Sequence, residues 1–359
     1  MELIVSIEKE LRDFKLRADF TLGDTTLALL GASGSGKSMT LKCIAGLERP
    51  DSGRIILNGR TLFDSARGIN LPPQQRSVGY LFQNYALFPN MTVRENIIFA
   101  LTGTDAEKER IFAENVARFS LQGLENAYPA GLSGGQQQRV AFARILARGA
   151  ELLLLDEPLS ALDTHLKWQI ETALREILTA QDISAILVTH DRDEAFRIAR
   201  DIATVDWGTL TPPMDKHALF KNPGTRAATT LTGCKNISAA RRIDDTHIGA
   251  IDWGVTLTVP PDAAPSGARA GAAPPDVRAV AIRAHYMGLA DIGAENTFPA
   301  HVVEIIESTF SYIVMLRFAS DMKNIRWEVD KPVWAARPLS VGDIVPFRLP
   351  AECLMLLRD

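Results

Sequence analysis

Residues 25–38 read Thr25-Thr26-Leu27-Ala28-Leu29-Leu30-Gly31-Ala32-Ser33-Gly34-Ser35-Gly36-Lys37-Ser38. The first half is a short, nearly continuous apolar run, the pattern of a strand buried on both faces of a parallel sheet. The second half fits G-x-x-x-x-G-K-[ST]. Glycines at those positions let successive backbone N–H groups turn inward around phosphate oxygens. Lys37 then reaches the β- and γ-phosphates as a point charge, and the Ser38 hydroxyl suits Mg²⁺. A helix-like stretch from Lys37 to Leu47 follows and adds its positive N-terminal end. Strand, loop and helix in this order predict an α/β P-loop nucleotide-binding fold. Gly31, Ala32, Ser33, Gly34, Ser35, Gly36, Lys37, Ser38 and Met39 form the candidate ATP-binding set.

Working outward, two more runs read as buried strands, Glu151-Leu152-Leu153-Leu154-Leu155 and Ala185-Ile186-Leu187-Val188. The first ends in Asp156-Glu157. Paired carboxylates at the carboxyl end of a buried strand lie where open α/β sheets bind ligands. One acid there suits Mg²⁺, which gives Asp156 the metal role. The second suits a general base for an attacking water, which gives Glu157 the catalytic one. Residues 1–30 are β-rich, 53–82 read as short strands with an Asn58-Gly59 turn, and about 84–150 read as a largely helical subdomain. Alternating strands and helices predict an α/β sandwich over residues 1–215.

Composition changes after about residue 210. Thr211-Pro212-Pro213 and Asn222-Pro223-Gly224 break the pattern, so 216–234 reads as a linker and 235–359 as a small all-β, barrel-like domain. Strands are expected at Ile248–Val259, Val277–Ile282, His301–Ile306, Tyr312–Phe318 and Ile344–Leu349. The Ala- and Pro-rich stretch from Pro260 to about 275 reads as a loop.

The net charge of −4 over 359 residues offers no electrostatic footprint for nucleic acid. Cys43, Cys234 and Cys353 are far apart, which excludes a disulfide framework or a zinc pattern, and Cys234 reads as a small buried residue. No run of about 18 apolar residues is present, and the first residues alternate like a strand rather than a signal segment, so a soluble chain is expected.

Leu132-Ser133-Gly134-Gly135-Gln136, ahead of a helical run and about 20 residues before Asp156, resembles the signature motif of ABC ATPases. The resemblance covers residues 1 to about 215. It implies that Gln83 is a Q-loop residue touching Mg²⁺ and the lytic water. In the same way Asp163, in Ser160-Ala161-Leu162-Asp163, is the D-loop residue at a dimer seam, and His190 the switch histidine at the γ-phosphate. Phe14 is the candidate adenine-stacking ring. Tyr85-Ala86-Leu87-Phe88-Pro89 lies where family members receive the permease. Ser133, Gly134, Gly135 and Gln136 are implied to address ATP held by a second subunit, so the chain needs a second copy or a paralogue, and a homodimer is expected.

The resemblance further implies a peripheral subunit at the cytoplasmic face of a membrane, with permease subunits and an extracytoplasmic binding protein as partners. Asn58–Ser65, Gly68–Arg76, Thr232–Asn236, Ile282–His285 and Asn296–Val303 resemble the molybdate and sulfate import group, the last at the start of a molybdate-binding-like (TOBE) module. Molybdate is therefore the expected cargo. Sulfate or thiosulfate, ferric iron and polyamine importers share most of the motifs. Oxyanion-binding modules have a serine shortly before that Asn, where this chain has Gly293-Ala294-Glu295, so a packing or dimerisation role is expected for the module. A soluble ABC ATPase working on ribosomes or DNA is the different-class reading; a single cassette without coiled-coil arms or basic surplus speaks against it.

Overall fold

The apolar run of residues 26–31 forms the strand Thr26–Gly31, parallel to Asp201–Asp206 on one side and to Ala185–Thr189 on the other. Leu29 faces Ala203 and Val188 across the two ladders, and all three are fully buried. Leu152–Asp156 and then Val78–Leu81 continue the parallel series. On the other side of Asp201–Asp206, the short strand Thr209–Leu210 leads to an antiparallel wing. That wing is built from Lys15–Leu22, Leu3–Glu10, Ser52–Leu57 and Arg60–Asp64. These belong to one twelve-stranded mixed sheet among the described residues.

The computed structural model describes residues 1–82, 85–99, 101–160, 164–180, 183–260 and 277–359. They divide into two units, Met1–Lys216 and His217–Asp359.

Both faces of the first unit's sheet are covered, which explains apolar runs without alternation. Along Leu152–Asp156, Leu152 and Leu154 join a core with Leu27, Leu41 and Ile44, whereas Leu153 and Leu155 join Val140, Ala143, Ile170 and Leu174 on the opposite face. The helical side starts cleanly because its caps are encoded locally. Thr92 with Glu95, Thr104 with Glu107, and Ser133 with Gln136 form reciprocal capping boxes at the starts of Val93–Ile98, Asp105–Arg118 and Gly134–Ala147. Because the central strands are parallel, the segments after Gly31, Asp156 and Thr189 leave the sheet at the same edge.

The second unit contains two five-stranded antiparallel sheets. One runs Val255–Thr258, His247–Ala250, Asn236–Arg242, Ala279–Ile282, Met355–Leu357; the other runs Gly288–Leu289, Ile344–Arg348, Thr297–Glu307, Ser311–Arg317, Ile325–Asp330. Trp253, Trp327, Trp334 and Phe347 anchor their shared core, with the Trp327 and Phe347 ring centroids 5.3 Å apart. This is the small barrel-like domain expected from the sequence.

Three expectations need correction. The stretch read as a linker contains two short helices, Lys216–Lys221 and Arg226–Leu231. Arg283 secures the second of them by donating to the Thr232 carbonyl at 2.8 Å. The run Ile248–Val259 is a hairpin rather than one strand. Asp252 lies in its turn and accepts the Ala239 N–H at 2.9 Å, which draws the chain back on itself. A helix, Lys331–Ala336, occurs where only strands were expected. Most of the Ala- and Pro-rich stretch lies outside the described residues.

Candidate active site

Gly36 precedes the helix Lys37–Ala45 with φ 107°, a left-handed conformation that a side chain would strain. A Cβ there would also meet Leu16 at 3.2 Å and the Phe14 ring at 3.4 Å. The turn is therefore closed by a residue that has to be glycine. Lys37, only 3% exposed, donates to the Gly31 and Ala32 carbonyls at 2.9 and 2.7 Å. Burial pushes its pKa down, while the negative charges of Glu157 and Asp156 oppose that shift. The Met39 side chain packs against the adjoining core, so only its backbone N–H suits ligand binding.

The strand ends bring the predicted acids to this loop. Ser38 Oγ donates to Asp156 Oδ1 at 2.6 Å, and the Tyr80 hydroxyl donates to Asp156 Oδ2 at 2.7 Å. Burial, reinforced by the Asp156 carboxylate, pushes the Tyr80 phenol well above its ordinary value, which keeps it a donor. Tyr80 was missed at the sequence level; its only signal was its position in the strand beside Asp156. The donor set is hard oxygen, one hydroxyl and one carboxylate, which fits a Mg²⁺ that completes its shell with phosphate and water.

Glu157 follows directly, with φ 46°, an uncommon conformation for a residue with a side chain. Its N–H donates to the Val188 carbonyl at 3.1 Å, tying it to the strand that ends at Thr189. His190 Nδ1 lies 3.5 Å from Glu157 Oε2. Behind His190, Asp191 Oδ1 accepts the N–H groups of Asp193 and Glu194 and caps the helix Arg192–Ile198, while Thr189 Oγ1 bonds Glu194. The base candidate and the histidine are thus held by backbone on adjacent strands.

Ser133 and Gln136 bond one another, Ser133 N–H to Gln136 Oε1 at 2.9 Å, and make no described bond to the phosphate loop. Gly134 and Gly135 begin the helix behind them. Gln83 and Asp163 lie outside the described residues. Phe14 is beside the phosphate loop, its ring against Gly36 and Gly208. Within Tyr85–Pro89, Tyr85 is buried in the core, contrary to a place in a groove wall. Ala86 and Phe88 do line a groove of about 490 Å³, together with Phe82, Phe99 and Arg144. Arg144 shapes it by donating to the Ala86 carbonyl at 2.7 Å under the Phe88 ring.

Cys234 is buried and its thiol faces the Asn236 and Ile282 carbonyls. Asn236 bridges to the backbone of Arg326, and Asn296 to that of Thr258, each through both ends of its amide.

Fold and loop define a P-loop nucleotide-binding unit. Residues 17–160 match the ABC transporter family. An Fe(3+) import ATP-binding protein of Pectobacterium atrosepticum is 44% identical over 207 residues, 57% of this chain and 59% of that protein. A sulfate/thiosulfate import ATP-binding protein of Synechococcus elongatus is 39% identical over 240 residues, 65% of this chain and 68% of that one. A molybdenum import ATP-binding protein of Paramagnetospirillum magneticum is 36% identical over 228 residues, 63% of each. The matches thus span about 59–68% of these relatives' lengths. The chain belongs to the ATP-binding proteins of the ABC transporter family.

Proposed function

We propose that this chain is the ATP-hydrolysing subunit of an ABC importer, peripheral at the cytoplasmic membrane face and paired with a second copy of itself. The observation that carries the reading is the convergence of Ser38, Asp156, Glu157 and His190 on one sheet edge. Lys37 and the loop N–H groups hold the phosphates. Ser38 and Asp156 would hold a Mg²⁺, which would supply positive charge against the phosphate oxygens. Glu157 accepts a proton as water oxygen bonds to the terminal phosphorus and the bond to the bridging oxygen breaks, leaving ADP and phosphate. His190 stands beside Glu157 to address the terminal phosphate, and Gln83 orients the water. Ser133 to Gln136 and Asp163 serve the nucleotide of the second copy.

The groove beside Phe88 and Phe99 receives the permease, as an exposed aromatic surface suits a helix from a membrane partner. Cargo reaches that permease from an extracytoplasmic binding protein. The cargo is an oxyanion, molybdate, on the strength of the five stretches that resemble that group. The second unit packs or dimerises and leaves oxyanion alone. The Asn296 amide, the polar group its oxyanion-binding counterparts share, is spent on the Thr258 backbone.

Removing the base tests the hydrolytic claim. In Glu157→Gln, ATP binding persists while turnover falls by a factor of about 100 or more, in line with loss of a general base. Near wild-type turnover in that variant, measured by phosphate release, rules out the assignment.

A further inference from the structure

Tyr80 contacts two features of the first unit at once. The strand Val78–Leu81 runs parallel to Leu152–Asp156, with Tyr80 opposite Leu154. Leu154 and Asp156 are two residues apart and share a face of their strand, so a side chain as long as that of tyrosine reaches the carboxylate at the strand end. There the Tyr80 hydroxyl donates to Asp156 Oδ2 at 2.7 Å, while Ser38 Oγ donates to Oδ1 at 2.6 Å. An aspartate carboxylate left to itself turns over a broad torsional range. One donor on each oxygen fixes its plane. Ser38 supplies its bond from the phosphate loop, and Tyr80 supplies the other from a neighbouring strand.

The same ring faces the groove. Tyr80 lines the cavity of about 490 Å³ together with Phe82, Ala86, Phe88, Phe99 and Arg144. Phe82, 41% exposed, packs on the Tyr80 ring with centroids 4.6 Å apart and planes at 46°. Phe88 and Phe99 form a second ring pair in the lining, 4.8 Å apart. A phenol is rigid from ring to hydroxyl, so a displacement of its groove side moves the donor that Asp156 depends on.

We propose that Tyr80 is a positioning residue: it holds Asp156 in the setting that receives Mg²⁺, and through Phe82 it makes that setting depend on the groove. The inference rests on the readings of Ser38 and Asp156 as the Mg²⁺ site and of the groove as the seat of the permease. A partner helix bearing on Phe82 would then act on the metal carboxylate through two side chains. Hydrogen bonds to a ligating carboxylate commonly govern metal affinity by a factor of about 10 to 100.

The test measures binding of the β,γ-imido analogue of ATP by calorimetry, with Mg²⁺ and in EDTA, so that hydrolysis does not intervene. The ratio of the two Kd values reports the contribution of the metal. Tyr80→Phe keeps the ring and loses the donor: its Kd in EDTA stays at the wild-type value, while its Kd with Mg²⁺ rises about tenfold. Phe82→Ala removes the groove-side neighbour and raises the Kd with Mg²⁺ in the same way, but adds nothing once Tyr80→Phe is present, as expected for two residues acting through one contact. Equal weakening of Tyr80→Phe in both conditions would show that the hydroxyl merely supports the fold, and an unchanged ratio would show that Asp156 does not need it; either overturns the proposal. So does a Phe82→Ala effect that is absent, or that persists in full beside Tyr80→Phe, because the groove would then not act through Tyr80. A wild-type chain whose affinity ignores Mg²⁺ overturns the metal reading of Ser38 and Asp156 itself, and one that binds the analogue in neither condition overturns the reading of the phosphate loop.

Discussion

Glu194 shows how a side chain outside the chemistry supports it. It is 3% exposed and accepts from Thr189 Oγ1 at 3.0 Å, directly behind His190. Lys167 Nζ lies 3.7 Å away, but burial outweighs its charge and pushes the Glu194 carboxyl up to about 7. The folded chain therefore holds this proton more tightly than the unfolded one. The stability it contributes is full below the unfolded value of about 4.3 and is lost as pH rises through about 7. Glu194→Gln, which stays neutral, should reduce the loss of stability between pH 5 and pH 8 by roughly 2–3 kcal/mol. Calorimetric Tm values at the two pH values measure it; a wild-type-sized gap in the variant removes Glu194 as the cause.

Among elements, the helix Lys37–Ala45 matters most, because its start holds the phosphate loop. Its far end rests on Arg76, which is fully buried and donates to the Cys43 and Ile44 carbonyls at 2.8 and 2.9 Å. The same guanidinium reaches the Leu71 carbonyl and Asn70 Oδ1, both at 2.8 Å. A cation at a helix C-terminus complements both the dipole and the carbonyls that have no partner within the helix. The stretch Gly68–Arg76, which at the sequence level suggested a cargo group, thus does structural work. Arg76→Met keeps the volume but strands those acceptors, and should cost roughly 3 kcal/mol or more. A shift in the urea midpoint of the first unit measures this, and an unchanged midpoint would contradict it.

At the scale of the whole molecule, the relatives it resembles are named for different cargoes. The chain is 44% identical to an Fe(3+) import ATP-binding protein and 36% to a molybdenum one, so overall identity does not separate cargoes. Among the described residues no group of three or more His, Cys, Asp or Glu could hold a metal ion, and no helix is long and apolar enough to cross a membrane. A strain lacking this chain should lose most uptake of labelled molybdate while sulfate and ferric iron uptake persist. Loss of sulfate or iron uptake instead would reassign the importer.

Much of this molecule was legible from spacing and chemistry along the chain. The apolar runs before Gly31 and Asp156 and the Gly-Lys-Ser loop specified parallel strands with phosphate chemistry at their carboxyl ends, because such patterns are local. Capping at Ser133 was equally local, a side chain bonding three residues ahead. Tyr80, 76 residues from the carboxylate it holds, became visible only when parallel pairing brought two strands together. The same holds for Arg76, 33 and 32 residues from the two helix carbonyls it holds, and for the helices in 216–234, which the Pro and Gly breakers make read as a linker until Arg283 ties them down. Sequence alone therefore determined the fold class and the loop chemistry, which follow from contacts close along the chain. Tertiary structure decided which distant side chains complete the site, because strand order, which residue spacing does not encode, sets who meets whom.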